Sequence, residues 1–280
     1  MKIVRSRPLL GTFVEIKVDQ TSDMSEVDVH HIINRAYAII QDVQNIMSFH
    51  HAESELSRLN SNAYQKIVTV HPWLYQVLCR AQKIYQYTHG LFDCTVASKL
   101  MQLEYLPVRH RHISQVIDQS AMQLLPNNQV RFLQPIAIDL GGIAKGFAVD
   151  LAIHWLNQRG IKNAVVNAGG DLRVLGQMNE QICIRNPDRP SEVKSIGLLS
   201  NGAIATSASY FTEKTWQGKK ISHLIHPFTG ESIVKNISFS VIASQAWLAD
   251  ALTKVVATSL NTNHPCLAKF GAHAVLTESF

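Results

Sequence analysis

The stretch that most constrains the fold is residues 136–150, which read IAIDLGGIAKGFAVD. A short apolar run ends in Asp139, two glycines follow and an amphipathic helix begins, so the pattern predicts a strand, a tight turn and a helix. Gly141 and Gly142 lack the Cβ atoms that would keep a ligand away from the backbone. The helix start presents unpaired N–H groups, which suit an anion such as a phosphate. Because many Gly-Gly turns only allow the chain to reverse direction, a turn with a purely structural role remains an alternative at this point.

Apolar residues at helical spacing predict four main helices. One covers 27–47, a second begins at Pro72 and stops at Gly90, a third runs from the central turn to Gly160, and a fourth covers 246–260. Alternating or turn-bounded apolar segments predict strands at 9–18 (interrupted by Gly11), 122–125, 130–133, 163–176 around a second Gly-Gly pair, 182–184, 196–199, 237–243 and 274–277. Because helices and hairpins are mixed along the chain, we expect an α+β protein with mixed β-sheets rather than a doubly wound parallel sheet.

Composition limits the domain count and the partners. A chain of 280 residues with 46% hydrophobic residues can bury one large core, so we expect a single domain over residues 1–280, built as one body or as two intimately packed lobes. The formal net charge is +5, and the one basic cluster, at 109–112, carries no interleaved aromatic residues. This mild basicity fits a phosphate-rich ligand or an ordinary surface and does not indicate nucleic acid.

The cysteines and the N-terminus bear on the compartment. Cys79, Cys94, Cys183 and Cys266 form no CxxC pair, which favours reduced, buried thiols. The N-terminal MKIVRSRPLLGTFVEIKV lacks the long apolar stretch of a signal peptide, and no lipidated cysteine follows. No apolar run reaches the roughly 18 residues of a membrane span. We therefore expect no membrane span and a cytoplasmic location.

Eight short motifs follow one another along nearly the whole chain. They are LGT at 10–12, MSxxxxxSELSRLN at 47–60, FDxTV at 92–96, DLGGIAKGFAVD at 139–150, NAGGDL at 167–172, ATS at 205–207, HLIHPFTG at 223–230 and ADAL at 249–252. In this order and spacing they resemble the ApbE family, the flavin transferases also called FAD:protein FMN transferases.

The resemblance implies an ApbE-like, T-fold-like architecture and a magnesium-dependent reaction. FAD would be cleaved at its pyrophosphate, FMN would pass to a Thr or Ser hydroxyl of an acceptor flavoprotein, and AMP would leave. The acceptor would be a subunit of a redox complex or a reductase. Some members hydrolyse FAD to FMN and AMP, so an FAD pyrophosphatase stays an alternative, as does a catalytically weak FAD-binding protein. Phosphoryl transfer mainly needs positioning and charge neutralisation, which suits these residues.

The resemblance also assigns roles to residues. Those expected to contact the cofactor are Leu10, His50, Leu91, Phe92, Asp93, Asp139, Lys145 and Ile225. His223 would transfer a proton or contact a phosphate, and Asp250 would act as a catalytic residue and the main metal ligand. Gly142 and Thr253 would supply further oxygen ligands to Mg²⁺, which prefers hard oxygen donors.

Three positions depart from the family pattern. His50 stands where the family usually has a tyrosine beside the flavin ring, so stacking on the ring would be weaker. His226 replaces the usual Asp or Asn of the turn motif. Lys254 puts an ammonium where a threonine oxygen is expected beside the metal, and like charges repel. Lys254 is therefore either an exposed helix lysine that points elsewhere or a substitute for part of the metal's charge.

Overall fold

A computed structural model describes residues 2–19, 24–109, 116–189 and 191–280 of the chain. Positions 110–112 of the basic cluster lie outside the described residues. The described helices are α1 (Glu26–Met47), α2 (Glu55–Asn62), α3 (Pro72–Tyr87), α4 (Ala97–Gln102), α5 (Ala144–Gln158), α6 (Ala246–Ser259) and α7 (Pro265–Lys269). The described strands are β1 (Lys2–Leu9), β2 (Thr12–Asp19), β3 (Val68–Thr69), β4 (Met122–Leu125), β5 (Gln129–Phe132), β6 (Ala164–Ala168), β7 (Asp171–Leu175), β8 (Glu180–Arg185), β9 (Val193–Leu199), β10 (Ala203–Ala208), β11 (Lys214–Trp216), β12 (Lys219–Ile221), β13 (Ser238–Ala243) and β14 (His273–Thr277).

Seven strands form the central sheet, in the order β1-β2-β6-β7-β10-β13-β14. Each neighbouring pair in it runs antiparallel, and β1–β2 and β6–β7 are joined by tight turns as hairpins. Helices on an antiparallel sheet confirm the predicted α+β class. The prediction of one strand over 9–18 is wrong, because Leu10 and Gly11 close a turn and the chain pairs back on itself as β1 and β2.

The two faces of this sheet are covered differently. Along β6, Ala164 and Val166 belong to the main hydrophobic core, whereas Val165 points to a smaller cluster on the other face. Helices α1, α5 and α6 pack on the first face. Ile182 and Ile196, from the β8–β9 hairpin, pack against the second cluster. The period-two alternation of the strands therefore gives each face its own hydrophobic cover.

The four predicted main helices are confirmed as α1, α3, α5 and α6. Their apolar stripes are buried, as Val29, Ile33, Ile40 and Val43 show for α1. Such a stripe folds onto a core because it buries one continuous helix face. Among the described residues, no helix combines the length and the apolar composition that crossing a bilayer requires.

The start of α6 is held by α5. The Asp150 carboxylate accepts hydrogen bonds from the N–H groups of Ala246 (3.1 Å) and Trp247 (2.9 Å), and Arg173 pairs with the same carboxylate at 2.6 Å. These are orphan donors of a helix N-terminus, and a carboxylate there satisfies them and complements the helix dipole. Asp150 thus fixes where α6 begins.

The stretch before the central turn differs from its prediction. Residues 136–140, all within the described part, belong to no strand or helix, so the predicted strand ending in Asp139 is wrong. The side-chain amide of Asn60 takes the place of a neighbouring strand: it donates to the carbonyl of Ile138 and accepts from its N–H, both at 2.9 Å. The backbone of Asp139 in turn donates to the Cys94 carbonyl at 2.8 Å. The backbone groups of Ile138 and Asp139, which the apolar pattern predicted to pair with a neighbouring strand, instead bond to the Asn60 side chain and the Cys94 carbonyl.

Two of the four cysteines correct the sequence prediction. Cys94 and Cys266 are buried, but Cys79 and Cys183 are exposed. Each exposed cysteine lies in a mostly apolar segment but on its outward side, which shows that local apolarity does not decide which face a residue occupies.

Candidate functional site

A cleft of about 870 Å³ lies between the β1–β2 turn, the end of α1, the loop before α4, the turn before α5 and the inner side of α6. Cofactor sites commonly enclose about 300–1,000 Å³. Every residue predicted to contact the cofactor lines this cleft, and so do His223 and Gly142. Residues far apart in sequence therefore meet in one cavity.

Apolar side chains form one wall of the cleft. Leu10, Leu91, Phe92 and Ile225 contribute to it. Leu10 adopts a left-handed backbone with φ of 56°, which is strained for a residue with a Cβ. The Gln44 side chain holds it by accepting a hydrogen bond from its N–H at 2.6 Å. This arrangement presents Leu10 at the rim of the cavity.

Two carboxylates, Asp93 and Asp139, stand at the cleft and are tied to nearby backbone. Asp93 accepts from the Thr95 N–H and hydroxyl at 2.7 and 2.6 Å, so it caps the short helical turn that follows. Asp139 accepts from the Gly141 N–H at 3.0 Å. Burial raises the pKa of both groups, and hydrogen bonds from these backbone N–H groups oppose the rise. Both carboxylates are thus fixed in direction before any ligand is present.

Two ion pairs form the charged end of the cleft. Lys145 of α5 contacts Asp171, the first residue of β7, at 2.5 Å, and Lys254 of α6 contacts Asp250 on the same helix at 2.5 Å. Burial alone would lower the pKa of Lys145, but the Asp171 and Asp250 carboxylates outweigh it and raise that pKa above its ordinary value. Lys145, whose side chain is partly exposed, therefore stays charged, and two ammonium groups face this end of the cavity.

His223 lies beside these ammonium groups. Burial and then the charges of Lys254 and Lys145 lower the pKa of His223 to about 4, so its imidazole is neutral near pH 7. Its Nδ1 is 2.5 Å from the Thr212 hydroxyl, which also donates to the Ser209 carbonyl at 3.3 Å. Both bonds are satisfied together when Nδ1–H donates to Thr212, which leaves the Nε2 lone pair free.

Comparisons with known proteins identify the family of this chain. The family model described as the ApbE family matches residues 10–269 of the 280. The chain belongs to the ApbE family. A relative from Haemophilus influenzae, named FAD:protein FMN transferase, is 29% identical over 77% of this chain and 69% of its own length.

Solved ApbE structures share the fold. Flavin transferase ApbE from Vibrio cholerae superimposes with a TM-score of 0.79 at 25% identity, over 92% of this chain and 87% of the other. The ApbE protein from Thermotoga maritima gives a TM-score of 0.84 at 24% identity, over 100% of this chain and 97% of the other. The architecture is therefore that of ApbE proteins throughout.

The predicted ApbE metal ligands are arranged differently from an open metal site. Asp250 and Thr253 are fully buried and lie outside the lining of the cleft. Asp250 accepts from Lys254 through Oδ1 and from the Gly146 N–H through Oδ2, the latter at 3.2 Å. The Thr253 hydroxyl donates to the Asp250 carbonyl at 2.7 Å and shares a hydrogen bond with Ser207 at 2.8 Å. The side-chain oxygens of Asp250 and Thr253 that were expected to bind a metal are thus engaged within the protein.

These residues do not fit a bound Mg²⁺ while Lys254 holds Asp250. A doubly charged cation and an ammonium about 4 Å apart repel by roughly 8 kcal/mol at an effective dielectric constant of about 20. Within the described ranges, no group of three or more His, Cys, Asp or Glu side chains is arranged to hold a metal ion. Mg²⁺ could take Asp250 only if the ammonium left it.

Sequence reasoning missed three residues that hold other side chains of the ApbE site in place. Asp171 was visible in the Gly-Gly-Asp motif but is equally typical of a hairpin, and its partner Lys145 lies on another element. Thr212 carries no motif signal, and its contact with His223 depends on the tertiary fold. Asp150 closes the DLGGIAKGFAVD motif, yet its function as the cap of α6 requires knowing which helices meet.

Proposed function

We propose that this ApbE chain transfers FMN from FAD to a Thr or Ser hydroxyl of an acceptor flavoprotein and releases AMP. Its family membership and relatives named FAD:protein FMN transferase support this activity. The observation that carries the proposal is one cleft with an apolar wall, two ammonium groups and a neutral histidine. These features suit a flavin ring, a pyrophosphate and a proton transfer respectively.

The residues divide the substrate by chemistry. Leu10, Phe92 and Ile225 would contact the flavin, because an aromatic ring system favours an apolar surface. Lys145 and Lys254 would neutralise charge on the pyrophosphate oxygens, where negative charge changes most during phosphoryl transfer. Asp93 and Asp139, fixed by backbone contacts, would bind polar groups of the cofactor.

The transfer itself breaks one bond and forms one. The acceptor hydroxyl oxygen attacks the phosphorus on the FMN side, and the bond from that phosphorus to the bridging oxygen breaks. AMP leaves with the electron pair of that bond. The hydroxyl proton passes to Nε2 of His223, which is within its capacity because the imidazole is neutral. Thr212 would position His223 by holding Nδ1–H.

Magnesium dependence is implied by the resemblance alone. Because Lys254 engages Asp250, the proposed reaction contains no step at a metal ion. The acceptor would be a subunit of a redox complex or a reductase. A cytoplasmic location likewise stays a prediction.

The test is a mass measurement on candidate acceptors. The protein is incubated with FAD and a purified redox-complex subunit or reductase, and the acceptor is expected to gain one FMN less one water, with one AMP released. FMN and AMP without an adduct would instead indicate an FAD pyrophosphatase. FAD that stays intact for hours would indicate a binding protein, and either result would contradict the proposed transfer.

A further inference from the structure

Lys254 contacts Asp250 and lies against Gly142, two of the predicted metal ligands. Its Nζ donates to Asp250 twice, to Oδ1 at 2.5 Å and to the backbone carbonyl at 3.2 Å. Its Cε lies against Gly142, where an added Cβ would come within 3.0 Å. The lysine stem thus passes the glycine turn and its ammonium reaches the buried Asp250.

The ammonium is also available to a ligand. The Lys254 side chain is 22% exposed and lines the cleft, whereas Asp250 is fully buried. An ammonium has three N–H donors, and two of these are directed at Asp250. One donor remains for an anion in the cavity.

Each of the two lysines at this end of the cleft already has a carboxylate partner. Lys145 pairs with Asp171 and Lys254 pairs with Asp250, so each of these two buried carboxylates has its own ammonium. A divalent cation at Asp250 would have to displace the ammonium that satisfies it. The lysine stem fills the space that a side chain on Gly142 would enter.

We propose that Lys254 replaces the divalent cation in this chain: its ammonium, anchored by Asp250 and seated on Gly142, contacts the FAD pyrophosphate, so that FAD is bound and cleaved without Mg²⁺. The inference rests on the proposed function for the identity of the substrate. Gly142 matters because a side chain there would meet the lysine stem, and Asp250 matters because it holds the ammonium in place.

The decisive measurement is the affinity for FAD with chelator and with excess Mg²⁺, by calorimetry on the full chain. For the unmodified protein we expect the dissociation constant to differ by less than about twofold between the two conditions. AMP release in the presence of an acceptor is expected to persist in chelator. Binding that tightens tenfold or more with Mg²⁺, roughly 1.4 kcal/mol, overturns the inference while leaving the proposed function standing.

Lys254→Thr is the matched variant. It removes the ammonium and restores a hydroxyl, so its affinity for FAD is expected to fall at least about tenfold in chelator and to recover when Mg²⁺ is added. Lys66→Thr removes the same charge from an exposed turn away from the cleft and is the control. Equal affinities of Lys254→Thr and the control in chelator would contradict the inference.

One outcome refutes the inference together with the function on which it rests. Absence of FAD binding in every condition refutes the proposed function, and the inference with it. Because Lys254→Thr leaves a buried carboxylate without its partner, a thermal melt checks that the variant is folded. If it is unfolded, the comparison of chelator and Mg²⁺ on the unmodified protein still decides.

Discussion

Helix α5 packs closely against the start of α6 at Gly146, and replacing this glycine with alanine tests the packing beneath the cleft. A Cβ at this position would lie 2.3 Å from the Ala246 carbonyl oxygen and 2.6 Å from the Trp247 nitrogen. The obstacle is the backbone of another helix rather than the end of a flexible side chain. The Gly146 N–H also donates to Asp250, so any displacement reaches the ion pair with Lys254.

The size of the effect follows from two opposing contributions. Alanine is a better helix former than glycine by about 1 kcal/mol, so helix propensity alone predicts a more stable protein. Against this, α6 would have to recede by roughly 0.7 Å to restore a tolerable contact, and overpacking of this kind costs about 3 kcal/mol. The net expectation is a loss of about 2 kcal/mol. For 280 residues the unfolding entropy is near 0.6 kcal/mol/K, so Tm should fall by about 3–4 °C.

The assay is a pair of thermal melts with a matched control. Gly202→Ala adds the same methyl group where the nearest atom is the Leu199 Cδ1 at 3.2 Å, a flexible side-chain end, and its Tm should change by less than about 1 °C. For Gly146→Ala we also expect weaker FAD binding, because α6 carries Lys254. An unchanged or higher Tm for Gly146→Ala would show that α6 can move freely, and the description of a rigid helix contact would be refuted.

Three further measurements address other contacts. Asp150→Asn removes the partner of Arg173 and weakens the cap of α6, so we expect a loss of about 3 kcal/mol in urea unfolding; full stability would contradict the cap. His223→Gln should lower FMN transfer at least about 100-fold while FAD affinity changes less than about threefold, and equal rates would exclude His223 as the base. The folded-state pKa of His223, about 4, lies below the ordinary 6.5, so the unfolded chain binds this proton first and stability falls as pH drops from 6.5 to 4, by up to roughly 3 kcal/mol. The free energy of unfolding in urea should fall less steeply between pH 6.5 and 4 in His223→Gln than in the unmodified protein. Identical slopes would show that His223 does not have a lowered pKa in the folded protein.

The elements that sequence predicted well are those whose signal is local. The helices α1, α3, α5 and α6 carry apolar stripes that identify both their existence and their buried face. The hairpin of β4 and β5 follows from its Pro-Asn-Asn turn. The segment at 136–140 has the apolar character of a strand, but the Asn60 side chain forms the hydrogen bonds of the Ile138 backbone. No local pattern predicts a hydrogen bond between residues 78 positions apart.

The site divides in the same way. The motifs and the resemblance identified residues that the fold gathers around one cavity, because those residues follow turns and helix starts that sequence can locate. The sequence did not predict how deeply each of these residues is buried. Asp250 and Thr253 sit one layer below the cavity wall, and only the packing of α6 against α5 and β10 decides this. Sequence predicts which residues converge more readily than which of them meet the ligand.

The ion pair of Lys254 with Asp250 shows that the burial of a pair, which its sequence spacing does not reveal, determines its role. A lysine four residues after an aspartate has the same spacing on an exposed helix as on a buried one. On an exposed helix such a pair adds only a few tenths of a kcal/mol to the stability of the helix. Here Asp250 is fully buried, and a buried carboxylate is tolerated only with a partner. In this chain the partner belongs to the same helix, so the counter-charge is present whenever α6 is formed and does not depend on an ion from solution. The response to Mg²⁺, more than the transfer itself, is therefore the property in which this chain should differ from relatives whose motif has a threonine at this place.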